Sequence, residues 1–199
     1  MIHYSIIKNR IDLLQFFLSS GFDIEIPVNN WTPLILAVQL SNLTAVEMLL
    51  FYKAQVDVTN AYSIFYFFFH QTPLIIAIMN NDVDIVLSLL RAGASINESP
   101  YSLHCAVQQG NLEIIKLLMM FGADPNLKTP SGKTAFDLLK SEQDTIKSAL
   151  TEIQKAKIPH PLAPKINMIR PPVSSFNALL DIFPPTSQKR PQQPSISQI

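Results

Sequence analysis

Between Leu103 and Gly132 the apolar positions fall into two short blocks separated by a polar break. Leu103, Ala106 and Val107 make the first block, and Gln108-Gln109-Gly110-Asn111 make the break. Leu112, Ile115, Leu118 and Met119, at helical spacing, make the second. Phe121-Gly122-Ala123-Asp124 closes it, with Gly122 free to take the left-handed conformation that ends a helix. The pattern predicts two short antiparallel helices joined by a turn. Such a pair is too small to bury its own apolar face, so copies of it must stack to make a core.

The same phrase recurs. Thr32-Pro33-Leu34 opens a segment with Ala37 and continues from Asn42 to Leu50, while Thr72-Pro73-Leu74 opens another with Ala77 and continues from Asp82 to Ala94. A copy that starts late runs from Ile2-His3 to Asp23, and one that ends early runs from Thr134 to about Ile153. The anchors Ile2, Leu34, Leu74, Leu103 and Phe136 give steps of 32, 40, 29 and 33 residues. Thr32 is placed to cap the helix that Pro33 begins, since proline at the first helical position sacrifices no hydrogen bond. In the first copy Tyr4, Lys8, Arg10 and Gln15 are expected on the outer face, with Ile6, Leu13, Leu14, Phe17 and Leu18 inward.

Thr32-Pro33-Leu34 with Ala37, Thr72-Pro73-Leu74 with Ala77, Leu103-His104 with Ala106, Gly93-Ala94 and Gly122-Ala123-Asp124 together resemble the ankyrin repeat. That repeat has a period of about 33 residues and a T-P-L-H-x-A signature. The resemblance covers residues 1–153. It departs from the family where Tyr101-Ser102 replaces Thr-Pro and Lys53-Ala54-Gln55 replaces Gly-Ala-Asp. It implies an all-α solenoid of stacked helix-turn-helix units with β-turns between repeats, divided as 1–30, 31–70, 71–99, 100–132 and a 133–153 cap. It also implies that His3 and His104 hydrogen-bond neighbouring turns. Partners of the family usually lie against the concave face of hairpin tips and first helices. Carried onto this chain, that face comprises Trp31, Gln39, Leu40, Gln71, Met79, Asn80, Gln108, Gln109, Lys128 and Lys133. Leu118 and Asp124, ahead of Asn126, resemble the family's asparagine-hydroxylation pattern, although Pro125 departs from it; a turn asparagine bonding its own backbone is the competing reading.

Two stretches lie outside the repeat. Residues 58–71 insert an aromatic run into the second copy, which accounts for the step of 40. As a binding-edge insertion it would offer Tyr66 and Phe68 at its tip; the rival reading is a splice acceptor read through, which would encode Phe-Tyr-Phe-Phe-Phe-His-Gln. The joints around 53–71 and 97–101, where the repeat is irregular, are expected to be the weakest. Nine of the 15 prolines follow residue 158, so 154–199 is expected to be a disordered Pro-rich tail. Within it Phe176, Leu179, Leu180 and Phe183 share one helical stripe, predicting a short helix over 174–183 that either enters a partner's groove or packs on the last repeat.

Composition narrows the function classes. A formal charge of +0 argues against nucleic acid or an anionic membrane surface as partner. One cysteine rules out an intramolecular disulfide framework and points to the cytoplasm or nucleus. The longest apolar run, Ile64 to Phe69, is far short of the roughly 20 residues that span a bilayer. His104 and Cys105 are neighbours in sequence, but adjacent helical residues do not face one another. No metal-ligand spacing, nucleophile elbow or phosphate-binding glycine loop occurs. The expectation is a monomeric, non-catalytic protein-binding module without cofactor or metal. Its alternatives are a regulatory subunit that blocks an enzyme, or a fragment or mis-spliced form of a larger multidomain protein.

Overall fold

A computed structural model of the chain describes residues 1–59, 72–97, 101–139, 146–148 and 151. The chain divides into two units, Met1–Asn167 and Met168–Ile199, and every described residue belongs to the first. The aromatic insertion from residue 60 onward, Gln71 and the proline-rich tail with its 174–183 stripe lie outside the described residues.

The predicted helix pairs form in all four complete copies. They are α1 (Ile2–Ile7) and α2 (Ile11–Ser19), α3 (Pro33–Gln39) and α4 (Leu43–Phe51), α5 (Pro73–Met79) and α6 (Val83–Arg91), and α7 (Tyr101–Gln109) and α8 (Leu112–Met120). The odd-numbered helices stack in one layer, α1 on α3, α3 on α5 and α5 on α7. The even-numbered ones stack in a second, in the order α2, α4, α6, α8. Among the described residues the backbone is helical apart from turns and one isolated antiparallel bridge, Val28 to Trp31.

Local chemistry fixes these boundaries. The hydroxyls of Thr32 and Thr72 accept from the backbone N–H of Ile35 and Ile75, at 3.3 and 3.4 Å, with proline at the first helical position in both copies. Asn42 caps α4 through the N–H of Ala45, and Asn111 caps α8 through those of Glu113 and Ile114. Each second helix ends with a residue at positive φ whose N–H turns back to the helix: Gly21, Lys53, Gly93 and Gly122. Lys53 sits at φ 70°, where its Cβ crowds the following carbonyl and its three counterparts have none. Lys53→Gly is therefore expected to raise stability by about 0.5–1 kcal/mol, read as a higher denaturation midpoint in urea with an unchanged slope.

The fifth copy opens with a reciprocal cap. Asp137 Oδ2 accepts from the Thr134 N–H at 2.7 Å and from its hydroxyl at 2.8 Å, while the Asp137 N–H returns to Thr134 Oγ1 at 3.4 Å. A 3-10 turn, Phe136–Leu138, follows and packs on α7; residues 146–148 are helical again, with Ile146 buried. The Thr134 backbone and then its hydroxyl hold the Asp137 carboxyl below its ordinary pKa, with Lys128 and Lys133 adding to the effect. A depressed folded value means that the cap's contribution is complete above the ordinary carboxylate pKa of about 4 and is lost as pH falls through the folded one. Thr134→Ala is expected to move the Asp137 titration back up toward that ordinary value, followed by NMR.

Both irregular joints continue the stack. Across the step of 40, α3 meets α5 and α4 meets α6; across the step of 29, α5 meets α7 and α6 meets α8. Two rows of hydrogen bonds run along the copies. In one, Glu25 Oε1 accepts from the Gln55 N–H, Asp57 takes the N–H and hydroxyl of Ser95, and Asn97 pairs with the Asp124 N–H and the Gly122 carbonyl. In the other, Asn42 donates to Asn9, Ser41 to Asp82, and Asn111 to Asn81. Bonds of the first row cross both irregular joints as well as the regular one.

The first copy differs from expectation. Leu14, Leu18 and Ile6 are buried as predicted, but Leu13 and Phe17 are only half-buried, and Gln15 is half-buried as well. The exposed residues of this copy include Ile7, Phe16 and Phe22 beside Tyr4. The cause is geometric: nothing described stacks ahead of α1 and α2, so positions covered in later copies stay open here.

Candidate functional site

The predicted contact residues occupy two recurring places at the C-terminal ends of the first helices. Gln39, Met79 and Gln108 stand five residues beyond their anchors, and Leu40, Asn80 and Gln109 six. Because the odd-numbered helices stack in order, these places form two rows across the layer. Gln39, Leu40, Met79, Gln108 and Gln109 are exposed, Leu40 at 48% and Met79 at 41%. Asn80 is half-buried and donates to the Val38 carbonyl at 3.2 Å, so its amide is committed to joining α5 to α3.

Extending the rows back by one copy adds Ile7, at 58% exposure, and Lys8. The sequence reading missed Ile7. Its signal was the repeat itself, since Ile7 stands at the same distance from Ile2 as Met79 from Leu74. Over the four described copies the rows hold two exposed aliphatic side chains, one methionine, the amides and a single cation, with no acid.

The remaining candidates are placed differently. Trp31 is half-buried at the joint between copies one and two; its N–H and carbonyl bridge to Val28, and the carbonyl also accepts from His3 Nε2 at 2.7 Å. Lys128 and Lys133 are exposed in the turn after α8, and the Lys133 carbonyl accepts from Thr129 N–H and from His104 Nε2, the latter at 3.1 Å. Asn126 is exposed, with its N–H on Asp124 Oδ1 at 2.9 Å. Gln71, Tyr66 and Phe68 lie outside the described residues.

The histidines take the place expected of them. Each donates to the carbonyl three residues ahead of the next anchor, His3 to Trp31 and His104 to Lys133, tying a helix to the following turn. Cys105 is buried, and burial alone pushes its thiol up to about 11, which leaves almost no thiolate near neutral pH. Among the described residues no group of three or more histidine, cysteine or acidic side chains is placed to hold a metal ion. No described helix is long and apolar enough to cross a membrane.

Comparison with known proteins gives the same assignment. The ankyrin repeats family (3 copies) matches residues 1–60 and 60–129. Ankyrin repeat and SOCS box protein 11 of Mus musculus is 43% identical over 70 residues, which is 34% of this chain and 22% of that protein. The 2-5A-dependent ribonuclease of Homo sapiens is 44% identical over 70 residues, 33% of this chain and 9% of the relative. BCL-6 corepressor-like protein 1 of Homo sapiens is 45% identical over 73 residues, 35% of this chain and 4% of the relative. The chain thus matches less than a quarter of the length of each of these relatives. With helix pairs stacked in register, histidines tying the first and the fourth to the next turn, and the family match running through four copies, the chain belongs to the ankyrin repeat family, whose repeats are protein-interaction modules.

Proposed function

We propose that the chain is a non-catalytic module that receives a protein partner on its concave face, along the exposed ends of the first helices. The observation that carries this reading is the run of exposed residues Ile7, Lys8, Gln39, Leu40, Met79, Gln108 and Gln109, in which Lys8 is the one charge over the four described copies. Both layers of helices are occupied with stacking, but the ends of the first helices leave apolar side chains in water beside amides that can both donate and accept. That mixture suits a hydrophobic, hydrogen-bonded contact with little dependence on salt. Lys128 and Lys133 extend the surface at one end and Trp31 borders it at the joint of the first two copies.

The experiment is affinity purification of partners with the full chain, followed by hydrogen-exchange footprinting of the recovered complex. Protection is expected in the last turns of α3, α5 and α7, and the complex is expected to survive a rise in salt that would disperse an ionic one. Protection confined to the second helices would overturn the reading.

A second reading is favoured by the small share of each relative that the chain matches: these repeats serve as the interaction segment of a larger multidomain protein. Long transcripts that join this reading frame to further domains would support it, and they would also show whether residues 58–71 are translated in the natural product.

A further inference from the structure

The exposed ends of the first helices repeat along the stack, and in three successive copies one apolar side chain stands beside one polar one. The first copy offers Ile7 with Lys8, the second Leu40 with Gln39, and the third Met79 with Asn80. Ile7, Leu40 and Met79 are 58%, 48% and 41% exposed. The fourth copy replaces the apolar member and offers Gln108 and Gln109, both exposed. Asn80 is spent on the Val38 carbonyl, but among the described residues the amides of Gln39, Gln108 and Gln109 make no hydrogen bond. Apolar side chains and uncommitted amides therefore stand together in water along the same row.

The stack sets their spacing. Each first helix packs on the next, and packed helix axes lie about 8–10 Å apart. A segment lying across the row meets one copy in each such interval. Three residues of polyproline II advance about 9 Å and bring the same side of the segment round again. A β-strand covers about 10 Å in three residues, but its third side chain then points away from the surface. Seven residues of an α-helix cover about 10.5 Å, so length alone leaves a helix in contention. The amides decide between the two. A helix pairs its backbone N–H and C=O groups internally, whereas polyproline II leaves its own to solvent or to a partner. A glutamine amide both donates and accepts, which matches it to such a backbone.

We propose, on the reading that this row is the partner site, that it takes an uncharged segment of another protein in the polyproline II conformation, with apolar side chains at every third residue. Successive apolar residues of the segment sit on Ile7, Leu40 and Met79, and its backbone meets Gln39, Gln108 and Gln109. Charge complementarity points the same way. Over the four described copies the row offers no acid and only Lys8 as a cation, so a charged segment would lack counter-charges along most of its length. A segment already extended before binding also gives up little conformational freedom, so a few contacts per copy suffice to hold it.

The probe is a random library of twelve-residue peptides displayed on phage, selected on the full chain and depleted on a Leu40→Glu, Met79→Glu variant. Enriched peptides are expected to carry apolar residues at i, i+3 and i+6, with proline between them and no net charge. Made synthetically and followed by fluorescence anisotropy, they are expected to bind at least about tenfold more tightly than the same residues rearranged to place the apolar ones at every fourth position. Leu40→Glu with Met79→Glu is expected to weaken them at least about thirtyfold, and Gln108→Ala with Gln109→Ala at least about threefold, both at unchanged circular dichroism. Enrichment of peptides with a helical apolar stripe, enrichment of acidic peptides, or no peptide that distinguishes parent from variant overturns the proposal. So does self-association of the chain that Leu40→Glu with Met79→Glu abolishes, which gives the row to a second copy. None of these outcomes removes the partner site itself, which falls only if a recovered partner protects the second helices and not the last turns of α3, α5 and α7.

Discussion

Leu118→Ala is expected to lower stability by about 2–5 kcal/mol. Leu118 is fully buried in α8, in the layer between α7 on its own copy and α6 on the copy before. Removing three carbons there forfeits their transfer free energy and leaves a cavity that helices held on two sides cannot collapse into. The backbone adds a second constraint, since the Leu118 carbonyl accepts from the Ala123 N–H at 2.9 Å and anchors the turn that ends α8. Stability in a repeat stack is shared through neighbour interfaces, so the loss should spread to α5–α6 as well as α7–α8. Urea denaturation followed by circular dichroism gives the size, and amide exchange in α6 and α8 gives the spread. Lys116→Ala, exposed on the same helix, should stay within about 0.5 kcal/mol of the parent. A loss below about 1 kcal/mol for Leu118→Ala would contradict its place between the helices.

The fold was legible because each copy repeats a period-3.6 apolar block bounded by its own capping residue. Thr32-Pro33 and Thr72-Pro73 announce helix starts by a mechanism that needs no tertiary context, and the structure shows the caps. The role of the histidines came from the family resemblance rather than from spacing, and the His3–Trp31 and His104–Lys133 bonds bear it out. Two things were not legible. The hydrogen-bond rows depend on pairing residues 25 to 41 apart with the correct donor on each side, as when Asp82, which has no amide to give, is matched by a hydroxyl at Ser41. The burial of Leu13 and Phe17 was misread because helical spacing tells which residues share a face but not whether a neighbour covers it; Phe17 has the core spacing of Leu118, but no described helix pair stacks ahead of its copy. Trp31 shows the same limit at the candidate site, where it is half-buried at a joint that sequence alone does not display.

Trp31→Ala combined with Met79→Ala is expected to weaken the principal partner by at least about 2 kcal/mol, near thirtyfold, while circular dichroism is unchanged. Met79 contributes as an exposed, flexible thioether at the centre of the first-helix row, able to fit an irregular apolar partner surface. Trp31 contributes as a large, half-buried side chain carried on a fixed backbone, whose N–H and carbonyl are pinned to Val28 and whose carbonyl also holds His3. An aromatic side chain already ordered before binding loses little entropy in the complex, which is why such anchors dominate interface energetics. The backbone bonds of Trp31 do not involve its ring, so His3 should keep its partner in the alanine variant. Leu40→Ala, exposed in the adjacent row, should add a smaller loss in the same direction. Because the row carries Lys8 as its one charge over the four described copies, the variant and parent affinities should fall in parallel as salt is raised, and only slightly. Deleting 174–183 in the full chain should leave the affinity unchanged. Loss of binding on that deletion, with full affinity in the Trp31 and Met79 variant, would make the tail stripe the recognition element and reduce the stacked repeats to its carrier.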